Sequence, residues 1–164
     1  MLENLLAPAT RLASTEGGTV DLSAEHGMSV VFVYPRTSPP GGPSAAWQAL
    51  PGARGCTAES CGFRDLARDF TQLGVRIFGV STQDPHYQLE ASTRLHLSYP
   101  LLSDANLELA LPLRLETFGF EGAQLYRRVT LIIEDGSLVH RFDDILDPAA
   151  HPQDVLGWLE QRNR

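Results

Sequence analysis

The chain of 164 residues reads as an α/β fold built on a mixed central sheet. Three observations predict this. Apolar runs such as Ser29-Val30-Val31-Phe32-Val33-Tyr34 are unbroken, as strands covered on both faces require. Stretches with apolar residues at helical spacing separate them. Near the C-terminal end, two strand-like runs flank a tight turn, which adds an antiparallel pair.

Taken in order, Thr19-Val20-Asp21-Leu22 reads as a short edge strand and residues 29–34 as the first buried strand. Residues 38–55 hold Pro39, Pro40, Gly41, Gly42, Pro43, Pro51, Gly52 and Gly55 and predict a long irregular loop; Trp47 and Leu50 within it predict that part of it packs down. Phe63, Leu66, Ala67, Phe70 and Leu73 form one helical stripe, stopped by Gly74. Val75-Arg76-Ile77-Phe78-Gly79-Val80-Ser81 is the next strand. Asp84-Pro85 is an N-cap followed by proline at the first helical position, and opens a helix running through Leu89 toward Leu95. Asp104 predicts a shorter capped helix through Leu107 and Leu111. Val129-Thr130-Leu131-Ile132-Ile133 and Leu138-Val139-His140-Arg141-Phe142 pair across Glu134-Asp135-Gly136-Ser137. A last helix follows Pro152, with Val155, Leu156 and Leu159 inward and Trp158 beside them. There is no internal repeat, so residues 1–164 predict a single domain with an irregular 38–55 loop.

Composition narrows the function. The net charge of −7, without a basic run, disfavours nucleic acid and anionic membrane surfaces as partners. No apolar run reaches the length of a membrane span. Glu3 stands where a secretory leader carries positive charge, so a cytoplasmic location is expected.

The only cysteines are Cys56 and Cys61, at the junction between the loop and the helical stripe. A helix start offers unpaired N–H groups and positive dipole, which favour a thiolate. Cys56 lies seven residues before Phe63 and shares its buried side. Five residues of helix separate the two Cα atoms by about 9 Å, with about 7.5 Å of rise and roughly 140° of rotation. A disulfide needs them within about 7 Å. If both are helical, oxidation to a disulfide requires the first turn to unwind. Either cysteine alone is equally well a small buried hydrophobe. Together, in a chain otherwise free of cysteine, they point to thiol redox chemistry. A metal site is disfavoured by the same separation and by the absence of histidine nearby. The five histidines, at 26, 86, 96, 140 and 151, read as surface or satisfied residues.

The segment Gly55-Cys56-Thr57-Ala58-Glu59-Ser60-Cys61-Gly62-Phe63-Arg64-Asp65 closely resembles the active-site segment of Q-type peroxiredoxins, the bacterioferritin comigratory proteins. Val30 to Pro35, Phe78 to Ser81, Tyr99-Pro100-Leu101-Leu102-Ser103-Asp104, and Arg128 to Ile132 followed by Asp135-Gly136 are similar to further family segments, in the same order. The resemblance covers nearly all of the chain from about Thr19. It implies a thioredoxin-like fold and a thiol-dependent peroxidase acting on hydrogen peroxide or small organic hydroperoxides, with no cofactor and no metal. It implies a peroxidatic role for Cys56, a resolving role for Cys61 through an intramolecular disulfide, and a thiolate-holding role for Arg128. Thioredoxin- or glutaredoxin-like proteins are the implied reductants, acting on a monomer or homodimer. Glu59 matches the family's helix glutamate.

One departure stands upstream of Cys56. Ala53 and Ala49 occupy the places of the family's active-site threonine and proline, and Tyr34-Pro35-Arg36-Thr37 begins that motif before the loop interrupts it. Thr37 and Thr57 are the candidates to supply the missing hydroxyl, and Arg54 a candidate extra charge. A non-enzymatic redox sensor on the same fold is the alternative function. A thiol-disulfide oxidoreductase or copper-handling relative is disfavoured, because the chain lacks Cys-x-x-Cys and also Cys-x-x-x-Cys with a partnering histidine.

Overall fold

The structure is a computed structural model and describes residues 5–163. Its elements, in chain order, are β1 (Leu12–Ser14), β2 (Thr19–Val20), a single 3-10 turn (Leu22–Ala24), β3 (Met28–Val33), α1 (Ala45–Ala49), α2 (Cys56–Asp65) and α3 (Ala67–Gln72). They continue with β4 (Val75–Ser81), α4 (Pro85–Arg94), β5 (Leu101–Ser103), β6 (Thr117–Phe120), β7 (Ala123–Tyr126), β8 (Val129–Glu134), β9 (Ser137–Phe142) and α5 (His151–Arg162).

Seven strands form one sheet in the order β2-β1-β5-β4-β3-β8-β9, with β6 and β7 a separate hairpin. β3, β4 and β5 run parallel, and β1, β8 and β9 pair antiparallel, so the sheet is mixed as expected. Alternation along β3 sends Val31 and Val33 into one core and Val30, Phe32 and Tyr34 into the other. The first core also takes Leu102, Leu131, Leu109, Leu113 and Tyr126. The second takes Phe63 of α2, Phe70 of α3, and Val155, Leu156 and Leu159 of α5, together with Cys56. Stacked Phe32 and Phe63 rings, with centroids 4.5 Å apart, fasten α2 to the centre of the sheet.

Several local expectations are corrected. The stripe from Phe63 to Leu73 is broken at Leu66, whose φ of −101° and ψ of 4° end α2 and begin α3. Asp104 does cap, accepting from the Glu108 and Leu109 amides at 2.8 and 3.0 Å, but no helix follows. Positive φ at Leu107 and Arg114 folds that segment into turns instead. Asp104 is fully engaged there, because the Tyr126 hydroxyl also donates to it at 2.6 Å. Leu22 leaves the edge strand for the 3-10 turn, and Leu89 of α4 is about half exposed, its helix burying Gln88 and Ala91. Strands β1 and β5, the β6–β7 hairpin and helix α1 were not legible. Trp47 packs down as expected, in a small third cluster with Ala53 and Leu125, flanked by Leu50, Phe118 and Phe120. None of the described helices is long and apolar enough to cross a membrane.

Gly79 explains how tightly the layer beneath α2 is packed. A Cβ on it would lie 2.6 Å from Leu101 Cδ2 and 2.8 Å from Phe32 Cζ. Gly79→Ala is expected to lower unfolding free energy by about 1–3 kcal/mol through overpacking, read from the urea midpoint at unchanged m-value.

Candidate active site

Cys56 is the first residue of α2, and Gly55 before it has φ 102°. That conformation favours glycine, and a Cβ there would also meet Pro148 at 2.7 Å. The helix therefore starts hard against the turn that leads into α5, with the Cys56 side chain buried. Cys61 is partly exposed on the same helix, and both thiols are free. Both cysteines are helical, which is the condition under which a disulfide between them requires the first turn to unwind.

Arg128 enters from the short link between β7 and β8. Its side chain is only 5 % exposed and that of Glu59 is 0 %. Nη1 donates to Glu59 Oε1 at 2.6 Å, while Nη2 donates to Cys56 Sγ at 3.2 Å. Nη2 also meets the carbonyls of Arg54 at 2.9 Å and Ala53 at 3.3 Å. One planar guanidinium thus ties the sulfur, the helix carboxylate and the loop backbone together. The Cys56 thiol donates back to the Ala53 carbonyl at 3.7 Å.

The electrostatics follow from burial. Loss of solvent pushes the Cys56 thiol up, with the Arg128 charge and the Arg36 amide pulling the other way and the Glu59 charge adding to the rise. The lowered thiol anticipated from the helix start alone is therefore not found in this closed arrangement, because burial outweighs the donors. Burial likewise pushes Glu59 up to about 7, opposed by Arg128.

Among the other candidates, Thr37 is buried, but its amide and hydroxyl both donate to Gln83 Oε1, at 3.0 and 3.3 Å. Thr57 is the half-buried second residue of α2. Arg54 is exposed and brings its carbonyl, not its charge, to the site. Arg36 was missed by sequence reasoning. The signal was its position directly after the buried strand, in Tyr34-Pro35-Arg36-Thr37. The middle of α2 is held separately: Tyr99 donates its hydroxyl to the Ser60 carbonyl at 2.7 Å, and Arg64 reaches the Leu95 carbonyl at 2.8 Å. Among the described residues, no cluster of histidine, cysteine and acidic side chains suits a metal ion.

His151 at the start of α5 is satisfied, as expected, by Thr130 Oγ1 at 2.8 Å, and it lies edge-on to Phe63 and Phe142. Burial pushes it down to about 4, helped by Arg128 and opposed by Asp154. The unfolded chain then takes up a proton below about 6.5 that the folded chain refuses until about 4, so stability falls on acidification through that window. His151→Gln is expected to flatten this limb of a urea-midpoint titration against pH. Arg128→Ala is expected to push the Cys56 thiol further up and to lower stability by about 3–5 kcal/mol, since Glu59 loses its buried partner. Thiolate absorbance against pH, and denaturation, check the two effects.

The Redoxin family model matches residues 3–154. Peroxiredoxin Bcp of Escherichia coli strain K12 is 28% identical over 166 residues, covering 95% of this chain and 94% of that protein. A Mycobacterium tuberculosis protein named as a peroxiredoxin is 32% identical over 143 residues, covering 81% and 79%. Among solved structures, peroxidoxin BcpB of M. tuberculosis superposes with a TM-score of 0.76 at 27% identity, over 98% of this chain and 97% of that one. A Xanthomonas campestris bacterioferritin comigratory protein, described for its alkyl peroxide reduction, gives 0.76 at 24% identity over 99% of both chains. With its mixed sheet in a thioredoxin-like arrangement, the chain belongs to the Redoxin family and is a thiol peroxidase of the Bcp and peroxiredoxin Q type.

Proposed function

We propose that Cys56 is the peroxidatic nucleophile, Cys61 its resolving partner and Arg128 the residue that holds the reacting sulfur and oxygen. The observation that carries this is the 3.2 Å contact from Arg128 Nη2 to Cys56 Sγ, with the guanidinium anchored by Glu59 on the helix that bears both cysteines. A guanidinium is a strong donor to an anionic sulfur and to an oxygen that gains charge. The whole chain acts as one catalytic domain.

In the first step the Cys56 thiolate attacks one peroxide oxygen. The S–O bond forms as the O–O bond breaks, and the departing alkoxide or hydroxide takes up a proton to leave an alcohol or water. Sulfur is oxidised to a sulfenic acid and the peroxide is reduced. In this reading Arg128 Nη2 carries the charge that moves from sulfur to oxygen, which its 3.2 Å contact with Cys56 Sγ supports. In the second step the Cys61 thiolate attacks Cys56 Sγ. The S–S bond forms, S–O breaks, and hydroxide leaves as water. Helical spacing places the two Cα atoms about 9 Å apart, so this step follows opening of the first turn of α2. An external dithiol protein of the thioredoxin or glutaredoxin kind then reduces the disulfide, in the cytoplasm.

The substrate we infer is hydrogen peroxide or a small organic hydroperoxide. Alkyl peroxide reduction by the Xanthomonas relative supports the second of these. The sensor alternative draws on Ala53 and Ala49 standing where the family has its threonine and proline, and differs in predicting only weak peroxidase turnover.

Cys56→Ser is expected to abolish peroxide consumption with thioredoxin and its reductase present; surviving turnover would refute the assignment. Peroxide-treated protein is expected to lose two hydrogens and to yield a Cys56–Cys61 linked peptide. Finding only intermolecular dimers on peptide mapping would remove Cys61 from the resolving role.

A further inference from the structure

The stretch that interrupts the family motif is not idle in the structure. Trp47 is 3 % exposed and Ala53 is 0 %, and both belong to the cluster completed by Leu125 and flanked by Phe118 and Phe120 of the β6–β7 hairpin. From Trp47 a run of three-residue steps leads to the nucleophile. The Leu50 amide donates to the Trp47 carbonyl at 3.2 Å, the Ala53 amide to the Leu50 carbonyl at 3.2 Å, and the Cys56 thiol to the Ala53 carbonyl at 3.7 Å. Trp47 reaches the site by a second route as well. The Arg36 guanidinium sits 4.4 Å from the Trp47 ring centre and 4.8 Å from that of Phe120, and the Phe120 and Trp47 rings meet edge-on at 4.9 Å. The backbone amide of this same Arg36 is near enough to the sulfur to pull its pKa downward against burial.

We propose that Trp47 is a positioning residue for Cys56, holding the Ala53 carbonyl against the sulfur and the Arg36 side chain against its own ring, and opposing the opening of α2. The inference rests on the peroxidase reading above. Its physical content is a difference between two states. While α2 is intact, Ala53 stays buried against Trp47 and Leu125, and the sulfur keeps its contact with the Ala53 carbonyl. Opening the first turn drags residues 53–56 away from the cluster, so packing at Trp47 favours the closed state and is lost in the open one. The same side chain therefore aids peroxide attack, which uses the closed site, and slows disulfide closure, which uses the open one. Cys61 is spared, because Tyr99 and Arg64 fasten its part of the helix from the other side.

The test mixes protein with hydrogen peroxide, quenches at intervals with a thiol-blocking reagent, and resolves thiol, sulfenic acid and disulfide by intact mass. Trp47→Ala is expected to slow sulfenic acid formation by roughly tenfold, because the sulfur loses its alignment. It is expected to speed disulfide closure by roughly fivefold or more, because the lost packing belongs to the closed state only. Trp47→Phe, which keeps an aromatic face under Arg36, is expected to restore both rates to within about twofold of wild type. A folded Trp47→Ala protein with both rates unchanged, or both slowed alike, overturns the proposal. If Trp47→Ala lacks the wild-type circular dichroism, Phe120→Leu is read by the same two rates, which must again move in opposite directions. A wild-type chain forming neither sulfenic acid nor disulfide would refute the peroxidase reading itself, and the inference with it. Wild-type oxidation beside unaltered variants refutes the inference alone.

Discussion

The Arg128 guanidinium is the group on which the rest of the site depends. It is almost wholly buried, and it spends its donors on the Cys56 sulfur, the Glu59 carboxylate and the carbonyls of Ala53 and Arg54. A buried cation is tolerated only when such partners replace water. That requirement runs in both directions. Glu59 at zero exposure needs the cation, the loop carbonyls need a donor, and the sulfur needs positive charge. Moving any one of these residues leaves another buried group unpaired.

The second constraint is burial of Cys56. A helix start favours a thiolate, but it does so weakly beside the desolvation of a sulfur packed in the core with Phe63 and Phe32. The closed site thus holds a thiol that is reluctant to ionise, next to an arginine that assists it. In the proposed cycle the cysteine segment serves two incompatible geometries. Attack on a peroxide calls for an intact first turn with the sulfur aligned, whereas a disulfide to Cys61 calls for that turn to open. Packing on the two halves of α2 is correspondingly different. The Cys61 half is bonded to Tyr99 and, through its own Arg64, to the Leu95 carbonyl, while the Cys56 half is held by Arg128 and by the cluster of Trp47, Ala53 and Leu125.

Legibility in the sequence followed the range of the interaction. β3, β4, β8 and β9 were readable because buried strands leave unbroken apolar runs, and α4 because Asp84-Pro85 caps it locally. The break at Leu66 was not, since the apolar stripe from Phe63 to Leu73 continues through it and Phe63 and Phe70 are buried in the same core on either side. The segment after Asp104 had a true capping residue, yet Tyr126 and the amides of Glu108 and Leu109 exhaust that carboxylate in a turn. The β6–β7 hairpin has partly exposed residues on both strands and so no period-two signature strong enough to read.

The sequence by itself determined the two-cysteine helix, the glycine before it, the family and the chemistry, because these rest on neighbouring residues and their spacing. Tertiary structure alone decided what surrounds the sulfur. It brought Arg128 across 72 residues to Cys56, turned Thr37 toward Gln83, and set the Arg36 amide in place. It also made Ala53, with no side-chain donor of its own, a buried carbonyl anchor beside Trp47. Those contacts join distant parts of the chain, and burial, which no local pattern encodes, fixes both their geometry and the direction in which the thiol shifts.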